Sequence, residues 1–349
     1  MRVVVTGATG NVGTSVVDVL ARDAAVESIV GVARRVPELK LPKTTWRAAD
    51  VASDDLREVF EGADCVIHLA WLIQPGRDLA TLQAVNVEGS ARVFHAVAAA
   101  GVSSLVHASS VGAYSPGPKD SRVDESWPTE GIESAYYARQ KAAVERLLDR
   151  VEREAPELRV VRLRPALIFK REAASAIRRL FAGPFLPSPL VRRSLIPLVP
   201  RTDRLAFQAV HTRDVAEAYR LAAVGAARGA FNIAAEPVLD ADSLAEALGA
   251  KPVPVHAGAL RAAAGLAWRL RLQPTDPAWL DMARAVPLMD TTRAREELGW
   301  APTRGADEAL VELLDGMRDS ADYATPPLER RAGGSLRVKE LLTGVGSRP

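Results

Sequence analysis

Val3-Val4-Val5-Thr6-Gly7-Ala8-Thr9-Gly10-Asn11-Val12-Gly13 follows Met1 and Arg2, and the fold is decided by how this stretch is read. An unbroken apolar run gives way to a glycine-rich turn, after which Val12, Val16, Val17, Val19 and Leu20 recur at helical spacing. That succession is strand, turn, helix. The three glycines have separate tasks. Gly7 permits the tight turn, Gly10 lets a pyrophosphate approach bare backbone, and Gly13 lets the helix pack closely on the strand. The amides at the start of the helix then face the phosphates. Gly7, Thr9, Gly10, Asn11, Val12 and Gly13 are therefore candidate dinucleotide contacts, although Gly-x-x-Gly-x-x-Gly differs from the Gly-x-Gly-x-x-Gly of many dehydrogenases.

The alternation continues outward from this unit. Further strands are expected at Ser28 to Ala33, Cys65 to Leu69, Ser104 to Ala108, Arg159 to Leu163 and Ala230 to Ala234, with helices such as Leu79 to Ala100 and Ala135 to Glu154 between them. Strands separated by helices imply a parallel sheet covered on both faces. The expected class is α/β, a doubly wound Rossmann parallel sheet with a smaller mixed C-terminal substrate lobe. Residues 1–165 and 209–235 would form the dinucleotide-binding domain, and residues 166–208 and 236–319 the substrate lobe. Residues 320–349, with Pro326, Pro327, Gly333 and Gly334, read as a poorly anchored C-terminal tail.

Composition removes several alternatives. The 349 residues carry 45 Lys+Arg against 43 Asp+Glu, a net charge of +2, and a single cysteine, Cys65. One cysteine can build neither an internal disulfide nor a multi-thiolate zinc site, and the five histidines show no metal spacing. No metal is expected. There is no apolar run of about 18 residues of the kind a membrane span requires, so the expectation is a cytoplasmic protein with no membrane partner. Near-balanced charge and basic residues without interleaved aromatics argue against nucleic acid.

Two clusters carry chemistry. The second strand ends at Ala33 and runs into Arg34-Arg35, where an NAD-selective site would place a carboxylate on the ribose 2′-hydroxyl. Arginine there instead suits a 2′-phosphate, so NADP is favoured and NAD is the alternative. Asp50-Val51 is a candidate for the adenine. Tyr137 and Lys141 stand four residues apart in a helical segment, on one face. A phenol is a poor acid–base catalyst at neutral pH until a neighbouring cation stabilises its anion, which Lys141 can do. Upstream, Ser109-Ser110-Val111-Gly112-Ala113-Tyr114 follows a strand and offers a hydroxyl to a reacting oxygen.

With these pieces in place the chain resembles the extended short-chain dehydrogenase/reductase family, also called NAD-dependent epimerase/dehydratase, over about residues 1 to 235. The matching pieces are Thr6 to Gly13, Asp50-Val51, His68-Leu69-Ala70, Asn86-Val87-Glu88-Gly89, Ser109 to Tyr114, Tyr137 to Lys141, Arg164-Pro165, His211 to Ala216 and Phe231-Asn232-Ile233. The resemblance implies that Tyr137 exchanges the proton, Lys141 lowers its pKa and binds the nicotinamide ribose, and Ser110 holds the substrate oxygen. It extends the cofactor contacts to Leu69, Ala70, Asn86, Ser109, Tyr137, Lys141 and Pro165. Tyr136 is set aside, because Gln140 stands four residues on from it. The family pattern also implies a homodimer formed through Leu79 to Ala100 and Ala135 to Glu154. Two departures matter. Val111-Gly112 replaces the acidic pair of family dehydratases, which disfavours dehydration, and Phe169-Lys170-Arg171 stands where sugar-nucleotide members carry a glycine.

The lead reading is an NAD(P)-dependent oxidoreductase acting on the carbonyl or alcohol of a small molecule through Ser110, Tyr137 and Lys141. The alternatives are a sugar-nucleotide epimerase with retained NAD+ and a non-catalytic NADP-sensing protein. Between Arg159 and Arg213 twelve Lys/Arg face only Glu172 and Asp203, a stretch suited either to an anionic substrate or to pairing with acids elsewhere. Trp71, Leu72 and Gln74 follow a strand on the ligand side and are candidates to line the pocket. His68, His107 and His211 read as packing or support.

Overall fold

The computed structural model describes residues 1–74, 76–181 and 196–330. In chain order the first elements are β1 (Arg2–Thr6), α1 (Asn11–Arg22), β2 (Ser28–Ala33), β3 (Thr44–Ala48), α2 (Arg57–Phe60), β4 (Cys65–His68), α3 (Leu79–Gln83), α4 (Gly89–Ala99), β5 (Ser104–Ala108), β6 (Arg122–Val123), α5 (Tyr136–Glu154) and β7 (Arg159–Pro165). There follow β8 (Leu167–Phe169), α6 (Ala174–Phe181), β9 (Leu198–Arg201), β10 (Phe207–His211), α7 (Thr212–Val224), β11 (Gly229–Ile233) and β12 (Ala235–Leu239). The last are α8 (Ala241–Leu248), β13 (Lys251–Pro254), α9 (Ala257–Arg269), α10 (Ala278–Ala285), β14 (Leu288–Met289), α11 (Thr292–Glu296) and α12 (Ala306–Asp319).

Seven strands form one sheet in the order β11-β7-β5-β4-β1-β2-β3, every neighbouring pair parallel. The order reverses between β1 and β4. That reversal is the switch point of a doubly wound sheet, and a crevice opens there outside the carboxyl ends of the strands. Alternation along β1 feeds two cores. Val3 and Val5 join α1 residues Val16, Val17 and Leu20 and Tyr219 of α7, whereas Val4 joins Phe60, Phe94, Leu105 and Leu148 on the other face. Every apolar residue of the run is buried, as a sheet covered on both sides requires.

The sequence missed β3. Its residues Thr44, Thr45, Trp46, Arg47 and Ala48 are half-buried or exposed, so the apolar signal is weak on this edge strand. Trp46 is seated in the space Gly31 leaves, where a Cβ would lie 2.5 Å from the indole. The helix expected from Leu79 to Ala100 is interrupted by a π-helical turn over Ala84–Glu88. The extra residue turns Asn86 inward, where it grips the backbone of Leu72.

Smaller sheets build the rest: β12-β10-β8, β13-β9 and β14-β6. They are tied back to the main sheet at α7, where Trp300 is buried and donates its indole N–H to Asp214 O at 2.7 Å. Among the described residues no helix is long and apolar enough to cross a membrane. Between α4 and α5 a surface groove is lined by Ala91, His95, Ala98, Leu147 and Val151.

The expected loose tail from Ser320 requires correction over the part described. Thr325 is fully buried and donates to Thr9 O at 2.9 Å, and Leu328 packs with Ala173 and Ala176. A threonine hydroxyl reaching a carbonyl more than 300 residues away leaves no trace in local composition; residues 331–349 lie outside the description. Thr325→Val removes the only donor this contact has and strands a carbonyl in the interior. Unfolding stability should fall by about 1–3 kcal/mol in chemical denaturation, and Thr325→Ser should restore most of it.

Candidate active site

The cofactor cradle is built from backbone. Gly7 adopts φ +70° and donates to Val32 O at 3.0 Å, and a Cβ on it would lie 2.7 Å from Ala70 N. A Cβ on Gly13 would lie 2.3 Å from Gly7 O. Neither position accepts another residue without moving the turn. Gly10 is the N-cap of α1 with no side-chain cap, and the first turn holds no acidic residue. Its amides and the positive end of the helix dipole are thus left for an anion, which is the donor set a dinucleotide pyrophosphate needs. Leu69 and Ala70, directly after β4, close the other side of the switch point.

The remaining expected contacts divide into two groups. Arg34 and Arg35 extend from the end of β2, with Arg34 4.0 Å from Asp50 and both of those side chains about one-third exposed. Val51 is buried against Gly89 at the start of α4, and Pro165 is the buried last residue of β7. Asn11, Asn86 and Ser109 commit their side chains elsewhere. Asn11 bonds Ile168 O and the Thr212 hydroxyl. Asn86 bonds both backbone groups of Leu72 and the Gln140 side chain. Ser109 donates to Glu145 at 2.5 Å instead of facing the cradle.

Ser110, Tyr137 and Lys141 come together. Ser110 follows β5, where its side chain accepts from Gly112 N at 3.0 Å, and the Tyr137 ring packs against Gly112, where a Cβ would lie 3.0 Å from it. Burial raises the Tyr137 pKa, and the neighbouring Ser110 side chain opposes that rise. Lys141, one turn further along α5, donates to Ala108 O at 2.7 Å, and its Nζ lies 3.4 Å over the Trp71 ring. Burial pushes this ammonium down to about 7, against the upward pull of Glu145. Tyr136 has a different task, donating its hydroxyl to Ile73 O at 2.8 Å. His68 and His107 are buried and kept neutral by desolvation; His68 bridges Thr6 and Ser90. His211 caps α7 by accepting from Arg213 N.

Glu145, which sequence reasoning passed over, sits one turn beyond Lys141 at 1% exposure. It accepts from Ser109, from Arg162 at 2.9 Å, and from Arg164 at 2.9 and 3.1 Å. Burial alone would raise this carboxyl, yet Arg164 and Arg162 hold it down at about 2. Arg164 also donates to the Tyr114 hydroxyl, which in turn donates to Asn232. Several described members of the basic stretch are likewise engaged with the protein itself. Arg171 pairs with Asp319 and Arg201 with Asp242, Arg204 donates to Gly117 O, and Lys170 donates to Asn11 O, Thr14 and Ser15 on α1.

Residues 3–234 match the NAD dependent epimerase/dehydratase family. The chain belongs to that family. An uncharacterized protein of Mycobacterium tuberculosis is 28% identical over 321 residues, 91% of this chain, which spans only 30% of that relative's length. A 2-alkyl-3-oxoalkanoate reductase of Shewanella oneidensis is 29% identical over 227 residues, 63% of this chain and 56% of that protein. In structure, UDP-glucose 4-epimerase of Thermus thermophilus in complex with NAD is similar with a TM-score of 0.65 at 23% identity, covering 91% of this chain and 99% of its own. The likeness in fold includes the doubly wound sheet, and a nicotinamide dinucleotide is the cofactor class of this enzyme family.

Removing the Glu145 charge leaves the buried Arg164 guanidinium without its carboxylate and takes from Arg162 the most buried of its three partners, Asp149 and Glu152 remaining. Glu145→Gln should cost about 3–5 kcal/mol of stability, measured by urea unfolding at neutral pH. Because the folded carboxyl lies below its unfolded value of 4.5, its contribution is complete above the unfolded pKa and is lost as pH falls toward 2. The stability difference between wild type and Glu145→Gln should therefore shrink as pH is lowered through that window.

Proposed function

We propose that this chain is an NADP(H)-dependent oxidoreductase interconverting a carbonyl and an alcohol on a small molecule. The observation that carries the reading is the Tyr137 ring packed against Gly112 beside Ser110, with the Lys141 ammonium 5.8 Å from that ring one helical turn on. The bound nicotinamide supplies or accepts the hydride. Ser110 donates a hydrogen bond to the reacting oxygen and fixes its position. Tyr137 gives that oxygen its proton in reduction and withdraws it in oxidation. Lys141, its Nζ 5.8 Å from the Tyr137 ring, is the cation placed to stabilise the phenolate against the burial that raises its pKa, and it would hold the nicotinamide ribose.

Arg34 and Arg35 after Ala33 support NADP over NAD, since no carboxylate ends β2 and two guanidiniums follow it, the charge a 2′-phosphate would call for. The similarity to a 2-alkyl-3-oxoalkanoate reductase supports reduction. Epimerisation with retained NAD+ is the second reading, favoured by the UDP-glucose 4-epimerase likeness. In the same proposal residues 1–165 and 209–235 hold the dinucleotide, residues 166–208 and 236–319 cover the substrate, and two copies pair through the α4/α5 groove.

Tyr137→Phe should lower turnover by about 10²–10⁴-fold while dinucleotide affinity, read by fluorescence titration, stays near wild type. Arg34→Ala/Arg35→Ala should weaken NADPH much more than NADH. A stoichiometric, non-exchanging NAD+ indifferent to that double variant would instead establish the epimerase reading. Leu147→Glu/Val151→Glu should shift the mass in solution from dimer to monomer; an unchanged mass would reject that interface.

A further inference from the structure

Tyr137 stands in a frame of rings. Trp279 of α10 lies 5.0 Å from it, centroid to centroid, tilted by 39°. Phe181, the last residue of α6, meets Trp279 edge-on at 5.2 Å, and Trp71 meets Tyr137 edge-on at 5.9 Å. Ile132, Ala278 and Met282 pack behind them with Val111. The indole of Trp279 is held in place. The Tyr136 ring, held by its hydroxyl's bond to Ile73 O, meets it edge-on at 6.4 Å. Such herringbone contacts fix ring planes and present flat apolar faces.

Among the described residues, several cations of this region are already engaged. Lys141 is held by Ala108 O, and the Arg77 guanidinium lies 4.1 Å over Trp268 while donating to that residue's carbonyl. Lys119 donates to Ala206 O and Ala283 O, and Arg179 to Pro327 O. A diphosphate-bearing substrate would have to draw cations away from these partners. A flat apolar group needs no such exchange.

We propose that the substrate is a carbonyl compound carrying an aryl or conjugated planar group beside its carbonyl, with Trp279 as the selecting wall and Tyr136 as the residue that positions it. This rests on the oxidoreductase reading. In reduction the carbonyl carbon gains the hydride, the C=O π bond opens, the oxygen takes the Tyr137 proton, and the dinucleotide leaves oxidised.

The test uses the full chain with NADPH, and separately NADH, and compares acetophenone, 2-butanone and UDP-glucose. Acetophenone should exceed 2-butanone in kcat/KM by about ten-fold or more. Trp279→Ala should bring that ratio close to one, Trp279→Phe should keep most of it, and Tyr136→Phe should fall between. A ratio near one in wild type, or a ratio that survives Trp279→Ala, overturns the substrate class and leaves oxidoreduction standing. Normal dinucleotide binding with no carbonyl turned over, and UDP-glucose epimerised, overturns the oxidoreductase reading and this proposal with it.

Discussion

One buried face of α5 carries Tyr137, Lys141 and Glu145 at successive turns, and the interior must hold a phenol, an ammonium and a carboxylate within three helical turns. Desolvation opposes each charge: it pushes Lys141 down to about 7 and would raise the Glu145 carboxyl. The cost is offset by strand residues. Arg162 and Arg164 of β7 reach across to Glu145, and Ser109 after β5 completes its hydrogen bonds. Helix and sheet are thereby locked in one register, which places Ser110 against Tyr137. Removing one member strands the others, because a paired buried charge becomes an unpaired one.

The second constraint is the closeness of β1 and β4 at the switch point. Gly7 passes within a Cβ's width of Ala70, so the turn after β1 and the segment after β4 move as one unit. Asn86, brought inward by the π-helical turn, holds Leu72 from the other side and reaches Gln140 on α5. Trp71 lies between these anchors, over Lys141. The glycine turn and the Tyr137/Lys141 pair thus share a wall whose position is set by three separate elements. Lys170 and Thr325 add a fourth restraint from behind, on Asn11 and Thr9 of the same turn.

Adjacent tyrosines illustrate how a helix assigns tasks by angle. Tyr137 packs its ring against Gly112 beside Ser110, whereas Tyr136, one position earlier, donates to Ile73 O and meets Trp279 edge-on. The two rings thus take separate partners from adjacent positions of one helix. The serine pair behaves in the same way, with Ser110 at the site and Ser109 directed into the Glu145 network.

The sequence by itself determined what depends on local geometry: the glycine turn with its positive φ at Gly7, the apolar runs of the sheet, and the four-residue spacing of Tyr137 and Lys141. Each follows from neighbours along the chain, through sterics, strand burial and helical periodicity. Tertiary structure alone decided which partners meet across long separations. Among the described residues Arg164, Arg171 and Arg201 of the basic stretch became occupied pairs, since Glu145, Asp319 and Asp242 lie outside it. Thr325 became an anchor instead of part of a loose tail, and Trp279 became a neighbour of Tyr137 from more than a hundred residues away. Composition counts charges and rings, but burial and pairing are properties of the folded chain, and these set the pKa values and the walls of the site.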